Sequence, residues 1–466
     1  MNTSTRNGIN DILCALGSSL ILTTILLAGA VFNGFPLIFP DSGTYLAIAL
    51  GSEYAIDRSS YYGFLLKPFV SLSNGVGGLW IAISVQAFII ASILVSVARE
   101  SLPRNSKPLL YLIPIVFLTS LPWHAAQFMP DAFTGPMILV VWLAARRNLK
   151  QSGTLLLWLA AVTIAVMHYT HVILLGITAV SVILVDFAMN RSFLSLRQRT
   201  LTALTMTLLS AFLLVAANGI VLNRWTIAPL GPTFLFARLN EDGLIPRWLD
   251  AHCGGDGPAP LCAERNHISS NSQTFLWRDP QGIVARHIWG AADPERWRWV
   301  DMMDQVNRSA VSEQPRRFAV TALNGSVRQF VHFALLDDEC PQNCLSTRSG
   351  IGFALLKYRP SFVPVLQASR QDQGTMPKST LRMITNPIGF AGLLLFPAVI
   401  VLALRRRDAL IASLAVGVAA ALVTNAVVAG ALSDVHDRYQ SRVVWLVPMV
   451  VLLTLLRWRS RQEVQP

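Results

Sequence analysis

The stretch Phe39-Pro40-Asp41-Ser42-Gly43-Thr44-Tyr45-Leu46 sets a lone carboxylate between a proline and the start of an apolar run. A carboxylate in that position can act as a general base toward a hydroxyl. It can equally well cap a helix, since Asp before Ser-Gly-Thr-Tyr is a good local helix start. Further along, Asp57-Arg58-Ser59-Ser60-Tyr61-Tyr62 places a guanidinium and two phenols ahead of another apolar run. The planar fork of an arginine binds phosphate through two parallel hydrogen bonds, or simply meets lipid headgroups. His124 and Asp131 share the polar break "PWHAAQFMPD", and His168 and His171 stand three apart in "MHYTH". Imidazoles at that spacing share a helix face, where they can donate to an anion, hold a metal, or meet only water. Asp131 can also serve as the cap of the next helix. The last break, "SDVHDRYQSR", gathers Asp434, His436, Asp437, Arg438 and Tyr439, whose charges can pair among themselves.

The elements that position these groups are apolar segments. With 53% hydrophobic and only 14% charged residues in 466, the composition exceeds what a soluble core needs and describes a mainly α, polytopic membrane protein. A helix crosses a hydrocarbon core of ~30 Å in ~20 apolar residues, because lipid offers no partner to an open backbone group. Ten segments fit: 12 to 32, 75 to 98, 108 to 122, 132 to 145, 153 to 167, 172 to 189, 201 to 222, 385 to 404, 409 to 431 and 441 to 456. The small-residue run Ala28-Gly29-Ala30 resembles a cleavage site, but the apolar stretch before it is longer than the ~7 to 15 residues of a signal peptide and reads as a helix.

Basic residues orient the segments. Arg6; Arg99, Arg104 and Lys107; Arg146, Arg147 and Lys150; Arg191, Arg197 and Arg199; Arg405 to Arg407; and Arg457, Arg459 and Arg461 fall on one side. The short connectors on the other side hold only Arg58, Lys67, Arg438 and Arg442. Both termini are therefore expected in the cytoplasm, with all the chemistry-bearing connectors on the other side of the membrane. The net charge of +12 reads as topology plus a basic outer domain and not as nucleic-acid binding, for which no motif is present.

Residues 1–222 thus form a first transmembrane region, 223–384 an extracytoplasmic domain between helices seven and eight, and 385–466 a second transmembrane region. The inserted domain holds Cys253, Cys262, Cys340 and Cys344, while Cys14 stands alone in the first helix. An even set outside the cytoplasm favours disulfides, and proximity favours Cys253 with Cys262 and Cys340 with Cys344. A metal site is the rival, disfavoured by the absence of a paired Cys-x-x-Cys. Phe318 to Leu336 is amphipathic, with Val320, Leu323, Val327, Phe330 and Ala334 on one face. That stripe either enters the domain core, the preferred reading, or lies on the membrane surface. Trp225, Trp248, Trp277, Trp289, Trp297 and Trp299 are read mainly as packing and interfacial residues rather than sugar platforms.

Together these residues resemble the GT-C glycosyltransferase superfamily, integral membrane enzymes that use polyprenyl-phosphate-linked sugars. The resemblance covers about half the chain and leaves the inserted domain unmatched. "DSGTYL" followed by "RSSYYGFLL" is similar to the Asp-x-x-x-Tyr then Arg-x-x-x-Tyr pattern of bacterial members, and "HDRYQSRVVWLVP" to their late Arg-Tyr element. It implies that Asp41 is catalytic, with Asp131 as the second acidic residue. Arg58, Tyr61, Tyr62, His124, His168, His171, Arg438 and Tyr439 then bind substrate and lipid phosphate. The implied partners are a polyprenyl-phosphate-linked sugar, membrane lipids and an unidentified acceptor. Asp41 is followed by Ser42 rather than a second acid, so no metal or other cofactor is named; Arg58, Lys67 or Arg438 would meet the phosphate charge instead. Against this stands a non-catalytic protein that binds or translocates lipid-linked saccharide. A transporter is disfavoured, because no repeat is visible and the helices carry almost no central charge.

Overall fold

The structure, a computed structural model, describes residues 3–73, 75–103, 106–336 and 349–462. Cys340 and Cys344 lie outside the described residues. Among those described the chain is mainly helical, with no strand and a single isolated parallel bridge between Leu37 and Gln127.

Among the described residues, seven helices are long and apolar enough to cross a membrane: Asp11–Asn33, Gly77–Ser101, Tyr169–Asn190, Ser195–Leu222, Lys378–Arg405, Ala409–Leu432 and Asp437–Gln462. The segments drawn at 108 to 122, 132 to 145 and 153 to 167 form shorter apolar helices, Pro108–Leu118, Pro130–Ala145 and Thr154–Ala165. Large apolar side chains stay on the outside of the long helices, among them Leu394 at 82% and Ile220 at 78% exposure. In water such exposure forfeits roughly 1.5–3 kcal/mol per side chain; against lipid it forfeits almost nothing.

The described residues divide into two compact units. One lies within 1–225, 333–424 and 437–466, and the other within 226–332 and 425–436. In the first, Gly34, at a φ of 81°, closes the short helix Ala28–Asn33 and turns the chain out of its first span. The following connector folds into two helices, Ser42–Gly51 and Tyr61–Val70. The Ser42–Gly51 helix lies backbone to backbone against Gly350–Tyr358: a Cβ on Gly43 would stand 2.1 Å from the Gly350 carbonyl carbon. Lys357 and Tyr358 both bond Glu53 beyond the end of that helix. Gly34 to Phe39 is stitched on one side to 126–128, through Leu37 N–H donating to Ala126 at 3.0 Å and Phe128 N–H donating to Leu37 at 2.8 Å. On the other side Gln371 accepts from Ile38 N–H and donates back to its carbonyl, and Gln371 N–H donates to Asn33.

In the second unit, helices Gly231–Glu241, Leu244–His252 and Asp293–Glu313 pack around Phe236, Ile245, Val300 and Met303, and Pro315–Val331 follows them. The expected Cys253–Cys262 disulfide is present, closing a separation of nine residues. Trp248 and Trp299 are buried, each stacked on a histidine, and Trp277 stacks on Trp289 at 5.2 Å. The amphipathic stripe does not enter this core. Val320, Leu323 and Val327 are exposed, and the helix instead buries Gly325, Ser326 and Gln329. Glycine is what the contact requires, because Gly325 meets Gly430 so closely that a Cβ on it would stand 2.1 Å from the Gly430 oxygen.

Candidate functional site

Asp41 occupies the N-cap position of the Ser42–Gly51 helix, yet its side chain caps nothing. Both oxygens go to arginines of the first unit, one from the same connector and one from far along the chain. Arg58 Nη1 donates to Oδ1 at 2.9 Å, and Arg438 Nη1 donates to Oδ2 at 2.9 Å across 397 residues of sequence. The connector reaches this geometry because Ser42 Oγ accepts from Phe39 N–H, turning the chain sharply at Pro40. Ser60 Oγ likewise accepts from Ala55 N–H, fixing the loop that carries Arg58.

Each guanidinium has further company. Arg58 donates through Nε and Nη2 to Asp57 Oδ2, at 2.9 and 2.6 Å, and sits over the Tyr45 ring. Arg438 lies 4.0 Å from the Phe39 ring centroid and donates through Nη2 to the Tyr439 hydroxyl at 3.2 Å. Its Nε, buried, finds no acceptor among the described residues. Partial burial alone would raise the pKa of Asp41, but the two guanidiniums outweigh it and hold the carboxyl at about 2. Against the ordinary 3.8, that is worth about 2.5 kcal/mol to the ionised form.

A second layer lies beside this one. Asp131 accepts from Arg442 Nη1 at 2.5 Å, with both side chains almost wholly buried. Arg442 follows Arg438 by one helical turn in Asp437–Val444, so the two arginines descend from one face of one helix. His124 Nε2 meets Ser441 Oγ at 2.9 Å, and Ser441 Oγ donates to the Arg438 carbonyl. His124 Nδ1 is buried and has no partner among the described residues. Burial pushes His124 down to about 4, so it is neutral at neutral pH.

The other residues singled out in the sequence hold structural bonds. Tyr62 is fully buried and donates to Gln86 Oε1 at 2.8 Å, while Gln86 donates to the Ala125 and Gln127 carbonyls. Tyr61 donates to the Leu213 carbonyl at 3.0 Å. His168 caps Tyr169–Asn190 by accepting from Thr170 N–H. His171, wholly buried, lies between the Ile164 carbonyl and Thr134 Oγ1, an arrangement satisfied when Nδ1 carries the proton. Lys67 bonds Ser52, away from Asp41. The last break is divided: His436 pairs with Asp434 within the second unit, whereas Asp437 accepts from Ala334 N–H and Arg438 reaches Asp41 within the first. Among the described residues no three His, Cys, Asp or Glu side chains are grouped to hold a metal.

Sequence reading missed Gln371, Asn33 and Gln86, which lock the Asp41 connector in place, and gave Arg442 no role beyond topology. Only Arg442 carried a signal, its spacing of four from Arg438. The arrangement can hold one anion between two guanidiniums, with a carboxylate already in that position and a neutral imidazole close to the same helix turn. No family model matches the chain, and neither a curated protein nor a solved structure is significantly similar to it.

Proposed function

We propose that this chain is a membrane glycosyltransferase of the GT-C type. It moves a sugar from a polyprenyl-phosphate donor to an envelope glycan, lipid or protein on the outer face of a bacterial inner membrane. In this reading ten segments cross the membrane, both termini are cytoplasmic, and residues 223–384 form an extracytoplasmic insertion. The observation that carries it is Asp41 gripped through both oxygens by Arg58 and Arg438.

As it stands, a carboxyl held at about 2 is a feeble base. The donor phosphate is itself an anion with oxygens to offer a guanidinium fork. As it enters, it takes hydrogen bonds that Arg58 and Arg438 give to Asp41, and the basicity of the carboxylate rises. Asp41 then accepts the acceptor's hydroxyl proton as its oxygen bonds the anomeric carbon. The bond from that carbon to the phosphate oxygen breaks, and its electron pair leaves on the polyprenyl phosphate, inverting the configuration. The two guanidiniums face the charge that grows on the leaving phosphate. The buried Arg438 Nε supplies a donor that the described residues leave unused. Proton transfer to a positioned base contributes ~10²- to 10⁴-fold.

The same low basicity favours a second reading, a non-catalytic binder of lipid-linked saccharide in which the arginines hold the phosphate and Asp41 only spaces them. Mass spectrometry of lipid-linked and envelope glycans separates the two. Cells lacking the chain are complemented with the native protein or with Asp41→Asn. A missing sugar restored by the native chain alone supports transfer with Asp41 as the base; equal rescue by Asp41→Asn removes that role and leaves the binder standing.

A further inference from the structure

The Pro315–Val331 helix presents an apolar face that nothing in its own unit covers. Val320, Leu323, Val327 and Val331 are spaced by three, four and four residues, which keeps them on one side of a helix. They are 52%, 64%, 58% and 45% exposed. Arg316 stands one turn before the stripe on the same face, Arg328 flanks it, and both are exposed.

The opposite side fixes where this helix sits. It buries Gly325, Ser326 and Gln329. Gly325 meets Gly430 backbone to backbone, in the last turn of the candidate span Ala409–Leu432. At 1.5 Å per residue, Gly430 lies roughly 3 Å from that helix's end, which is the level of a bilayer boundary. Gln329 then clamps the chain just beyond, donating to the His436 carbonyl at 2.8 Å and accepting from His436 N–H at 2.9 Å. On the span itself Val427 and Leu432 are exposed and must meet lipid if the helix crosses.

We infer that Pro315–Val331 is an interfacial helix, with Val320, Leu323, Val327 and Val331 in the acyl region of the bilayer and Arg316 and Arg328 at the headgroup phosphates. The helix that carries the stripe crosses the last turn of the candidate span. Its basic residues sit where a helix lying in the interface needs them, and their aliphatic stems reach from the acyl boundary to the phosphates. The second unit is thereby seated on the membrane through its own helix. This inference does not depend on the catalytic reading of Asp41.

The test places an environment-sensitive fluorescent amino acid, incorporated biosynthetically, at Leu323 or Val327 of the full chain. A third variant carries it at Arg308, whose side chain is 79% exposed on the preceding helix. Each is reconstituted into vesicles of phosphatidylethanolamine and phosphatidylglycerol with brominated acyl chains. Emission from 323 and 327 is expected to be quenched several-fold more by bromine than emission from 308, and to be sheltered from aqueous iodide. Quenching by iodide equal to that at 308 overturns the inference. So does shelter from both quenchers, which would mean that a protein partner or a second copy covers the stripe.

Discussion

Replacing Asp41 with Asn should tighten the chain's hold on a polyprenyl phosphate. In the native site a phosphate must displace a carboxylate that receives one hydrogen bond from each of two guanidiniums. The preference of those guanidiniums for ionised Asp41, about 2.5 kcal/mol from the fall of its pKa from 3.8 to about 2, sets an upper bound on that cost. Asn removes the charge, and its NH2 group faces one guanidinium donor to donor. Binding should therefore gain up to about 2.5 kcal/mol, or roughly 70-fold in Kd. Arg58 keeps Asp57 at 2.6 Å and Arg438 keeps the Tyr439 hydroxyl, so the arginines stay in place. The assay is competition between a short-chain polyprenyl phosphate and a fluorescent analogue on nanodisc-embedded protein at fixed low salt, with thermal unfolding as the control for folding. Arg438→Gln should weaken binding in the same assay. A folded Asp41→Asn protein that binds no more tightly than the native one would refute the displacement step.

Other perturbations read different parts of the structure. Gly43→Ala drives a Cβ to 2.1 Å from the Gly350 backbone and should destabilise by about 1–3 kcal/mol or more, whereas Gly350→Ala, with nothing nearer than 3.7 Å, should be near neutral; thermal unfolding in detergent compares them. Asp131→Ala takes the carboxylate from the buried Arg442 and should cost about 3–5 kcal/mol, while adding Arg442→Met should restore much of it, as a double-mutant cycle would record. Under the transferase reading, kcat/KM reports the free protein, in which Asp41 stays ionised to about pH 2, so its acid limb should not be due to this residue above about pH 4. The acid limb of kcat, where phosphate has taken the arginines, should lie higher. His252 is held by Asp256 and Glu313, which raise its pKa above 6.5. The raised value means that this tie is complete below about pH 6.5 and is lost as pH rises through the folded pKa. Hydrogen exchange across 244–262, corrected for intrinsic rates, should show protection falling on the alkaline side in the native chain and no such fall in His252→Gln.

The long spans were legible because an unbroken apolar run has few other places to go. Asp41, Arg58 and Arg438 were each legible as chemistry-bearing types, but nothing local says that Arg438 reaches a carboxylate 397 residues away. That convergence depends on Asn33, Gln86 and Gln371, uncharged amides whose bonds to backbone groups leave no periodicity or charge pattern to read. Tyr62 and His171 show the converse: types suited to a site that are consumed by hydrogen bonds inside the bundle. The stripe of Pro315–Val331 was assigned to the wrong environment because periodicity identifies a face and not what covers it. Its one glycine, Gly325, lies on the opposite side and makes the close contact, so the smallest residue marked the packed face better than the apolar ones did.

The most direct measurement is sugar release from a radiolabelled polyprenyl-phosphate sugar by the purified full chain in proteoliposomes, with native and Asp41→Asn protein run side by side and an extract of envelope glycans as acceptor. The native chain should transfer sugar only when acceptor is present, and Asp41→Asn should lose at least about a hundredfold despite tighter phosphate binding. Undiminished transfer by Asp41→Asn would contradict the assignment of the base, and no turnover by the native chain across donors it demonstrably binds would contradict the transferase itself.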